Sequence, residues 1–300
     1  MTLLVVGTVA FDTIDTPFGR RERILGGSAT FFGFAASYFG ELRLMSAVGG
    51  DFPSEHVDAL RARGIDLTGL QVLPESKTMH WAGNYVGDMN EADTLDFEPN
   101  VLDNYTLEVP QRYRDSNYLF LATDHPDTQL QVLEAMTHDP FTVLDTRDVW
   151  IDNELDGLKR VLRKVHGLVL NDDEARRLSG ERNLVRAGPE LRALGPSWVV
   201  IKKGEHGSIL FSEQGVTALP ACPLEVVKDP TGAGDSFAGG LMGYLASTGK
   251  RSIEAVKRGM TYGTVTASIA VDDFSVDPFH KVSKQEFQAR HDAFLKQIRI

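Results

Sequence analysis

The sequence predicts an α/β fold built on a mostly parallel central sheet with helices on both faces. Short apolar or β-branched runs recur along the chain, and stretches of helical length separate them. Strands and helices that alternate in this way form parallel sheets covered on both sides. A chain of 300 residues is long enough to bury the core that such a sheet needs. The predicted strands lie at residues 3–7, 42–48, 118–122, 142–145, 168–171 and 198–202.

Three helices are expected to differ in their surroundings. Residues 29–38 are almost all apolar or small, which predicts a helix buried against the sheet. Residues 53–63 carry Val57 and Leu60 on one face, as a surface helix does. Residues 236–245 are apolar with several small side chains, which allows close helix packing.

Two segments interrupt the alternation and predict a small β-sheet lid. Residues 13–25 and 68–97 carry many polar side chains without helical periodicity, and residues 78–86 within the second resemble a strand. A lid over the carboxyl edge of a parallel sheet would close on a ligand and exclude water. The alternative is a region of decorated loops. No linker or repeat divides the chain, so residues 1–300 are predicted to form one domain.

Charge and cysteine content argue against several classes of protein. Acidic residues outnumber basic ones by 42 to 31, and a net charge of −11 disfavours binding to nucleic acids or anionic membranes. Cys222 is the only cysteine, so no internal disulfide is expected and a cytoplasmic location is predicted. The first residues have no basic leader, and no apolar run has the length of a membrane-spanning helix.

A glycine-rich run at residues 227–240 carries the strongest functional signal. Gly232 and Gly234 precede Asp235 at the predicted start of a helix, after a segment through Val227 that is expected to be rich in strands. Glycines let several backbone N–H groups converge on one anion, and the helix dipole adds positive potential there. A carboxylate beside bound phosphate is suited to accept a proton from an attacking hydroxyl. The run therefore predicts phosphoryl transfer, the alternative being a flexible helix start.

Other signatures of nucleotide or metal chemistry are absent from the sequence. It has no Gly-Lys-Ser/Thr phosphate loop, and no Gly-x-Gly-x-x-Gly follows the first strand. The eight histidines are dispersed and form no metal-binding motif, so a transition-metal enzyme is disfavoured. No Gly-x-Ser-x-Gly elbow indicates a serine hydrolase.

Two motifs resemble those of the ribokinase-like (PfkB) family of small-molecule kinases. Residues 229–237, Asp-Pro-Thr-Gly-Ala-Gly-Asp-Ser-Phe, resemble its C-terminal signature, and Gly26-Gly27 with residues 47–51 resemble its N-terminal signature. The resemblance implies a three-layer α/β/α sandwich with a lid, often dimeric through that lid. It implies that Asp235 is the catalytic base and that Gly232, Ala233 and Gly234 form the anion hole.

The same resemblance assigns an acceptor site. Asp12 matches the aspartate that holds acceptor hydroxyls, although a turn-capping role is the alternative. Gly26 and Gly27 match the glycines that approach the acceptor. Phe31 stands where the family usually has an asparagine that touches the acceptor, which implies a different or less polar contact. Arg147 is expected either to contact acceptor or phosphate, or to pair with a neighbouring aspartate.

Nucleotide and metal contacts are implied as well. Asn171 and Glu174 resemble the Asn-x-x-Glu motif that organises Mg²⁺, while the same spacing is also close to a helix capping box. K⁺ is a further candidate cofactor. The residues implied to contact ATP are Lys202, Gly204, Gly207 and Thr231 near the phosphates, and Tyr262, Gly263 and Thr264 near the adenine.

These observations predict an ATP-dependent kinase that phosphorylates an alcohol of a sugar, nucleoside or related polyol. The alternative is a non-catalytic nucleotide or small-molecule sensor that retains the fold. The choice between sugar and nucleoside stays open, because four aromatic residues could either stack on a base or pack within the protein. They are Phe31, Phe32, Trp81 and Tyr85.

Overall fold

The computed structural model describes residues 1–87, 89–90, 92–103 and 105–299. In chain order the strands are β1 Leu3–Val6, β2 Ala10–Thr16, β3 Gly19–Gly26, β4 Leu42–Gly49, β5 Ile65–Leu73, β6 His80–Tyr85, β7 Ala92–Glu98, β8 Tyr118–Leu121, β9 Phe141–Asp145, β10 Gly167–Asn171, β11 Trp198–Lys202, β12 Ser208–Ser212 and β13 Gly215–Leu219. The helices are α1 Ser28–Ala36, α2 Ser54–Ala62, α3 Pro126–Ala135, α4 Asp148–Asn153, α5 Leu155–Leu162, α6 Asp172–Ser179, α7 Leu184–Ala193, α8 Ala233–Thr248, α9 Ile253–Ala270, α10 Asp277–Lys281 and α11 Lys284–Gln297.

Nine strands form the central sheet within the described ranges. Their order is β13-β12-β11-β10-β9-β8-β1-β4-β5. The strands from β11 to β5 run parallel, and β12 and β13 add an antiparallel edge. All six sequence-predicted strands lie in this sheet, which confirms the predicted α/β class.

Helices cover both faces of the sheet, because the side chains of each buried strand point alternately to one face and to the other and both sets are apolar. In β1, Leu3 and Val5 contact the core that includes α1, α8 and α9. Leu4 and Val6 contact the opposite core, which includes α3, α5 and α7. The sheet and the helices on its two faces thus form three layers. Because the strands from β11 to β5 are parallel, their carboxyl ends lie at one edge of the sheet.

Helix α1 is buried on every side, as its composition predicts. All nine of its residues are buried, from Ser28 to Ala36. One side packs against the sheet and another against α8, where Gly239 leaves room for the α1 backbone. A Cβ at Gly239 would overlap the carbonyl oxygen of Phe32 and lie 2.9 Å from the Cβ of Ala35.

The lid is a second, four-stranded sheet in the order β3-β2-β6-β7. It starts at Ala10 and ends at Glu98, slightly beyond the predicted limits. The largest difference between prediction and structure concerns residues 68–73. The sequence predicts them in the lid, but they belong to β5 of the main sheet. This strand pairs with β4 up to Leu73, and its polar side chains reflect its position at the exposed edge of the main sheet. Residues 88 and 91 of the predicted lid lie outside the described residues.

The two longest helices, α8 and α9, pack against each other beside the sheet. They have 16 and 18 residues, and α8 carries the functional glycine run at its N-terminus. Across the parts of the chain that the structure describes, no helix has both the length and the apolar character needed to span a membrane.

We expect Gly239→Ala to destabilise the fold by about 1–3 kcal/mol, because the added methyl forces α8 away from α1. The free energy of unfolding, measured in urea, tests this expectation. Ser247→Ala near the exposed end of α8 is the matched control and should stay within about 0.5 kcal/mol of the wild type. Equal stability of the two variants would contradict the close packing of α1 on α8.

Candidate active site

Polar side chains meet where three adjacent parallel strands end. Asp145 ends β9, Asn171 ends β10 and Lys202 ends β11. The strand register aligns Asn171 with Lys202, and β10 lies between the other two strands. Carboxyl ends of parallel strands are where ligands bind in open α/β sheets.

The N-terminus of α8 faces this group of residues. Gly232 precedes the helix with a φ of +73°, which an L-residue adopts only under strain. A Cβ at Gly234 would lie 2.9 Å from the Nζ atom of Lys202, so the glycine allows the ammonium to approach. Asp235 lies in the first turn of α8. Gly234 and Asp235 therefore lie close to Lys202, and the role of residues 232–234 as a phosphate site stays a prediction.

The segment before this helix differs from the prediction. The sequence indicated a strand-rich stretch through Val227, but β13 ends at Leu219 and residues 220–231 contain no strand, although the structure describes all of them. Pro220, Pro223 and Pro230 explain the difference, because proline lacks the N–H group that a sheet ladder requires.

Asp235 has an environment suited to a general base. Burial, followed by the negative charge of Asp145, raises the pKa of Asp235 to about 7. The charges of Lys202 and Arg147 oppose this rise. A carboxyl group that titrates near neutrality can accept a proton during turnover and release it afterwards.

Asp12 faces the same space from β2 in the lid. Its side chain is buried, and burial together with the charge of Asp229 raises its pKa to about 7, although a hydrogen bond from the Gly27 backbone opposes the rise. Any Cβ at Gly26 would overlap the Asp12 carboxylate. Gly27 has a φ of +94° and packs against the Thr8 backbone. Asp12, Gly26 and Gly27 therefore form one cradle, and the charge of Asp235 reaches Asp12 across it.

Lys202 is paired with a carboxylate that the sequence analysis did not assign to it. Its Nζ atom donates to Oδ2 of Asp145 over 2.8 Å, and both side chains are largely buried. Burial lowers the pKa of Lys202, but the charges of Asp145, Glu174 and Asp235 outweigh it and raise the pKa overall. Lys202 therefore stays positively charged beside Gly234 at the N-terminus of α8.

Asn171 and Glu174 form the capping box that the spacing allowed. Asn171 Oδ1 accepts from the Glu174 N–H, and Glu174 Oε2 accepts from the Asn171 N–H, each over 2.8 Å. Burial and the charge of Asp145 raise the pKa of Glu174 to about 8. The other carboxylate oxygen of Glu174 takes no part in the box. An oxygen donor in a negatively charged setting fits Mg²⁺, which prefers oxygen ligands and keeps several waters.

Arg147 makes the ion pair with a neighbouring aspartate that was one of the two alternatives considered for it. Its Nε atom lies 3.9 Å from Oδ1 of Asp148, a loose and partly exposed ion pair. Its charge also lowers the pKa values of Asp12, Glu174 and Asp235, so it lies within electrostatic reach of all three. A contact of Arg147 with acceptor or phosphate stays a prediction.

Phe31 lies against the loop that precedes α8. Its ring is only 2% exposed, and a Cβ at Gly232 would overlap it. The sequence predicts that Phe31 faces the acceptor, whereas its described contact is with Gly232 in this loop.

The turn after β11 contains Gly204 and Gly207, both with positive φ. The Gly207 carbonyl accepts from the Lys203 N–H over 2.8 Å, which closes the turn. A Cβ at Gly204 would lie 3.0 Å from Oδ1 of Asn90, so the tip of the lid reaches this turn. The structure therefore brings the lid to the strand end that carries Lys202.

The three residues predicted near the adenine have internal contacts on α9. Tyr262 stacks between His291, with ring centroids 3.7 Å apart, and Tyr244, at 4.8 Å. Gly263 packs against Phe237, and the Thr264 hydroxyl donates to the Met260 carbonyl over 3.0 Å. Their described contacts are with α8 and α11 or within α9 rather than with the residues around Asp235.

Sequence reasoning missed a set of contacts around Asp229. This carboxylate is 1% exposed and accepts from the Thr231 N–H over 2.9 Å and from the Ser275 N–H over 3.4 Å. The Thr231 hydroxyl donates to the hydroxyl of Tyr85 in the lid over 3.1 Å. The positive φ of Ser275, +57°, is a structural signal that no sequence pattern predicts.

Comparison with known proteins agrees with this architecture. The model of the pfkB family carbohydrate kinases matches residues 5–275. A cytidine kinase from Thermococcus kodakarensis is 32% identical over 270 residues, which cover 87% of this chain and 94% of that protein.

Solved structures share the fold at lower identity. A Burkholderia thailandensis nucleoside kinase in complex with inosine has a TM-score of 0.79 at 20% identity, covering 98% of this chain and 99% of its own. An aminoimidazole riboside kinase from Salmonella enterica, complexed with aminoimidazole riboside and an ATP analog, has a TM-score of 0.78 at 18% identity, covering 97% and 100%.

The family match spans nearly the whole chain, and the glycine run, the cradle and the lid all lie within it. The chain therefore belongs to the pfkB family of carbohydrate kinases, which makes it a phosphotransferase whose acceptor is an alcohol group.

Proposed function

We propose that this kinase transfers the γ-phosphoryl group of ATP to a hydroxyl of a nucleoside or sugar, with Asp235 as general base. The observation that carries the proposal is the position of Asp235, in the first turn of α8 between the glycine amides and the Asp12 cradle. The acceptor proton passes to Asp235 while the acceptor oxygen bonds to the γ-phosphorus. The bond from that phosphorus to the bridging oxygen breaks, and ADP leaves.

The acceptor is held on the side of Asp12. Its carboxylate can accept two hydroxyl hydrogen bonds, which suits a vicinal diol. The absence of side chains at Gly26 and Gly27 lets the Asp12 carboxylate and the Thr8 backbone pack directly against them. Arg147 then limits the repulsion between Asp12 and Asp235. This arrangement directs one acceptor hydroxyl toward the base.

The phosphates are held on the side of α8. We assign the anion hole to the backbone of Gly232, Ala233 and Gly234 at the start of α8, where Lys202 adds a positive charge. Because the Ala233 N–H already donates to the Pro230 carbonyl, a bound phosphate has to share this donor. Glu174 and Asn171 would hold Mg²⁺, which supplies neutralisation of the phosphate charge. We assign the turn at Gly204 and Gly207, together with Thr231, to the phosphate side. The adenine contacts at 262–264 and a K⁺ ion remain predictions.

A nucleoside acceptor is favoured by Trp81. This residue is in register with Asp12 in the parallel pair of β2 and β6. Its Nε1 atom donates to the Thr94 hydroxyl over 3.1 Å, and the missing side chain of Gly83 lets the indole lie on the strand. A fixed flat ring next to the diol-binding carboxylate offers a stacking surface for a base. Phe31 and Phe32, in contrast, are buried in the core.

We further propose that two copies associate through the lid. Large apolar side chains on it are at least half exposed, which is unusual for side chains in contact with water only. They are Phe18, Leu95 and Phe97.

A cytoplasmic location remains a prediction that rests on the single cysteine.

An ADP-release assay with ATP and Mg²⁺ tests the proposed function. The acceptor panel contains nucleosides, free sugars, sugar phosphates and inositols, and we expect turnover with nucleosides above that with free sugars. Thermal stabilisation by ATP or an acceptor without ADP release from any of them would instead support the sensor. Turnover with free sugars alone would contradict the role given to Trp81.

We expect Asp235→Asn to lower kcat at least about 100-fold, because the amide cannot accept the acceptor proton. ATP affinity, measured by calorimetry, should stay close to that of the wild type. Asp58→Asn on the exposed face of α2 is the matched control and should keep full activity.

The pH profile of the wild type provides a second readout of the same role. Asp235 acts only when deprotonated, so kcat/KM should rise with pH and level off above the pKa of about 7. In Asp235→Asn the residual activity should depend less steeply on pH, since Asp235 no longer contributes while Asp12 and Glu174 still titrate. An unchanged slope or near-normal turnover would remove Asp235 as the base.

We expect Glu174→Gln to separate metal binding from helix capping. The amide oxygen can still accept from the Asn171 N–H, so stability should stay within about 0.5 kcal/mol. The Mg²⁺ concentration for half-maximal rate should rise about tenfold, because a charged oxygen is lost. Asp173→Asn, which removes an exposed carboxylate from the same turn, is the control. Equal Mg²⁺ requirements for both variants would leave Glu174 with a capping role only.

A further inference from the structure

A hydroxyl pair links the lid to the loop before α8. Tyr85 ends strand β6 and is 8% exposed, and its hydroxyl oxygen accepts from the Thr231 hydroxyl over 3.1 Å. Burial, aided by the charges of Asp229 and Asp12, raises the pKa of Tyr85, so the phenol stays neutral.

Thr231 is the residue at which this loop turns into the anion hole. Its N–H donates to Oδ1 of Asp229 over 2.9 Å. The next residue, Gly232, has a left-handed backbone conformation. The Ala233 N–H donates to the Pro230 carbonyl over 3.2 Å. A displacement of Thr231 therefore shifts the direction of the amides that follow it.

A second connection runs from the lid to the same carboxylate. The Ser275 hydroxyl donates to the carbonyl of Leu25 on β3, and the Ser275 N–H donates to Oδ2 of Asp229. Ile14, Tyr85 and Phe274 form a small apolar cluster between these connections. Strand β6 is thus joined to the loop before α8 through Thr231, and strand β3 is joined to it through Ser275 and Asp229.

We propose that Tyr85 is a positioning residue that couples closure of the lid to assembly of the anion hole. Strand β6 pairs with β2, which carries Asp12, so an acceptor that holds the lid down also holds Tyr85 against Thr231. When the lid lifts, Thr231 loses this partner and the amides of residues 232–234 lose their fixed direction. ATP without an acceptor then meets an incomplete anion hole, which limits its hydrolysis.

Hydrogen exchange of the ligand-free protein tests the coupling without any assumption about the substrate. In Tyr85→Phe, the amides of Thr231, Ala233 and Ser236 should exchange several-fold faster than in the wild type. The control is Tyr118→Phe, which removes a hydrogen bond of 3.2 Å to the Lys250 carbonyl. Faster exchange confined to β6 and β7, with residues 229–236 unchanged, would overturn the proposal.

The kinetic test rests on the proposed function and uses the acceptor with the highest rate in the panel above. Loss of one hydrogen bond should lower kcat about three- to tenfold in Tyr85→Phe, with a smaller change in the acceptor KM. A positioning role also predicts more ADP released per acceptor phosphorylated. A change in KM alone, with the ratio unchanged, would contradict it.

A double-mutant cycle isolates the hydroxyl pair. Thr231→Ser keeps the hydroxyl and should retain most activity, whereas Thr231→Val removes it. If the two hydroxyls act through each other, the Tyr85→Phe and Thr231→Val double variant should be no slower than the slower single variant. Strictly multiplicative losses would overturn the coupling. Failure of the proposed function would appear separately, as no turnover by the wild type while the exchange result still stands.

Discussion

The buried pair between Lys202 and Asp145 is the interaction on which the rest of the site depends. Five carboxylates affect one another in sequence at this site. The pKa of Asp12 is raised by the charges of Asp229 and Asp235, and those of Asp235 and Glu174 are raised by the charge of Asp145. The Lys202 ammonium is the buried positive charge among them, and Arg147 adds a half-exposed one. Removing one partner of such a pair leaves an uncompensated buried charge, which is costly. The pair thus makes a dense acidic site compatible with a folded sheet end.

The same crowding has a consequence for the ligand-free protein. The pKa values of Asp12, Asp235 and Glu174 are raised to about 7 or 8, so the folded state binds more protons than the unfolded chain between about pH 4 and 7. Stability from these groups is therefore greatest at low pH and is lost as pH rises through the folded pKa values.

The sequence predicts the main sheet well because its strands are buried on both faces. Leu3–Val6 is apolar throughout and Trp198–Lys202 is apolar up to its last residue, which leaves little ambiguity. The sequence predicts part of strand β5 in the lid because an edge strand tolerates polar side chains such as Thr68 and Gln71. The glycine motif gave the position of Asp235. The Lys202–Asp145 and Tyr85–Thr231 contacts depend on strand order and lid position, which no local pattern encodes.

The contact between Phe31 and Gly232 ties together two parts of the chain that are distant in sequence. The ring occupies the volume that any side chain at 232 would need, and it is almost fully buried. A smaller side chain at 31 would leave a void under the loop that precedes α8. The residues at positions 31 and 232 are therefore constrained together, so that the choice of residue at one position limits the choice at the other.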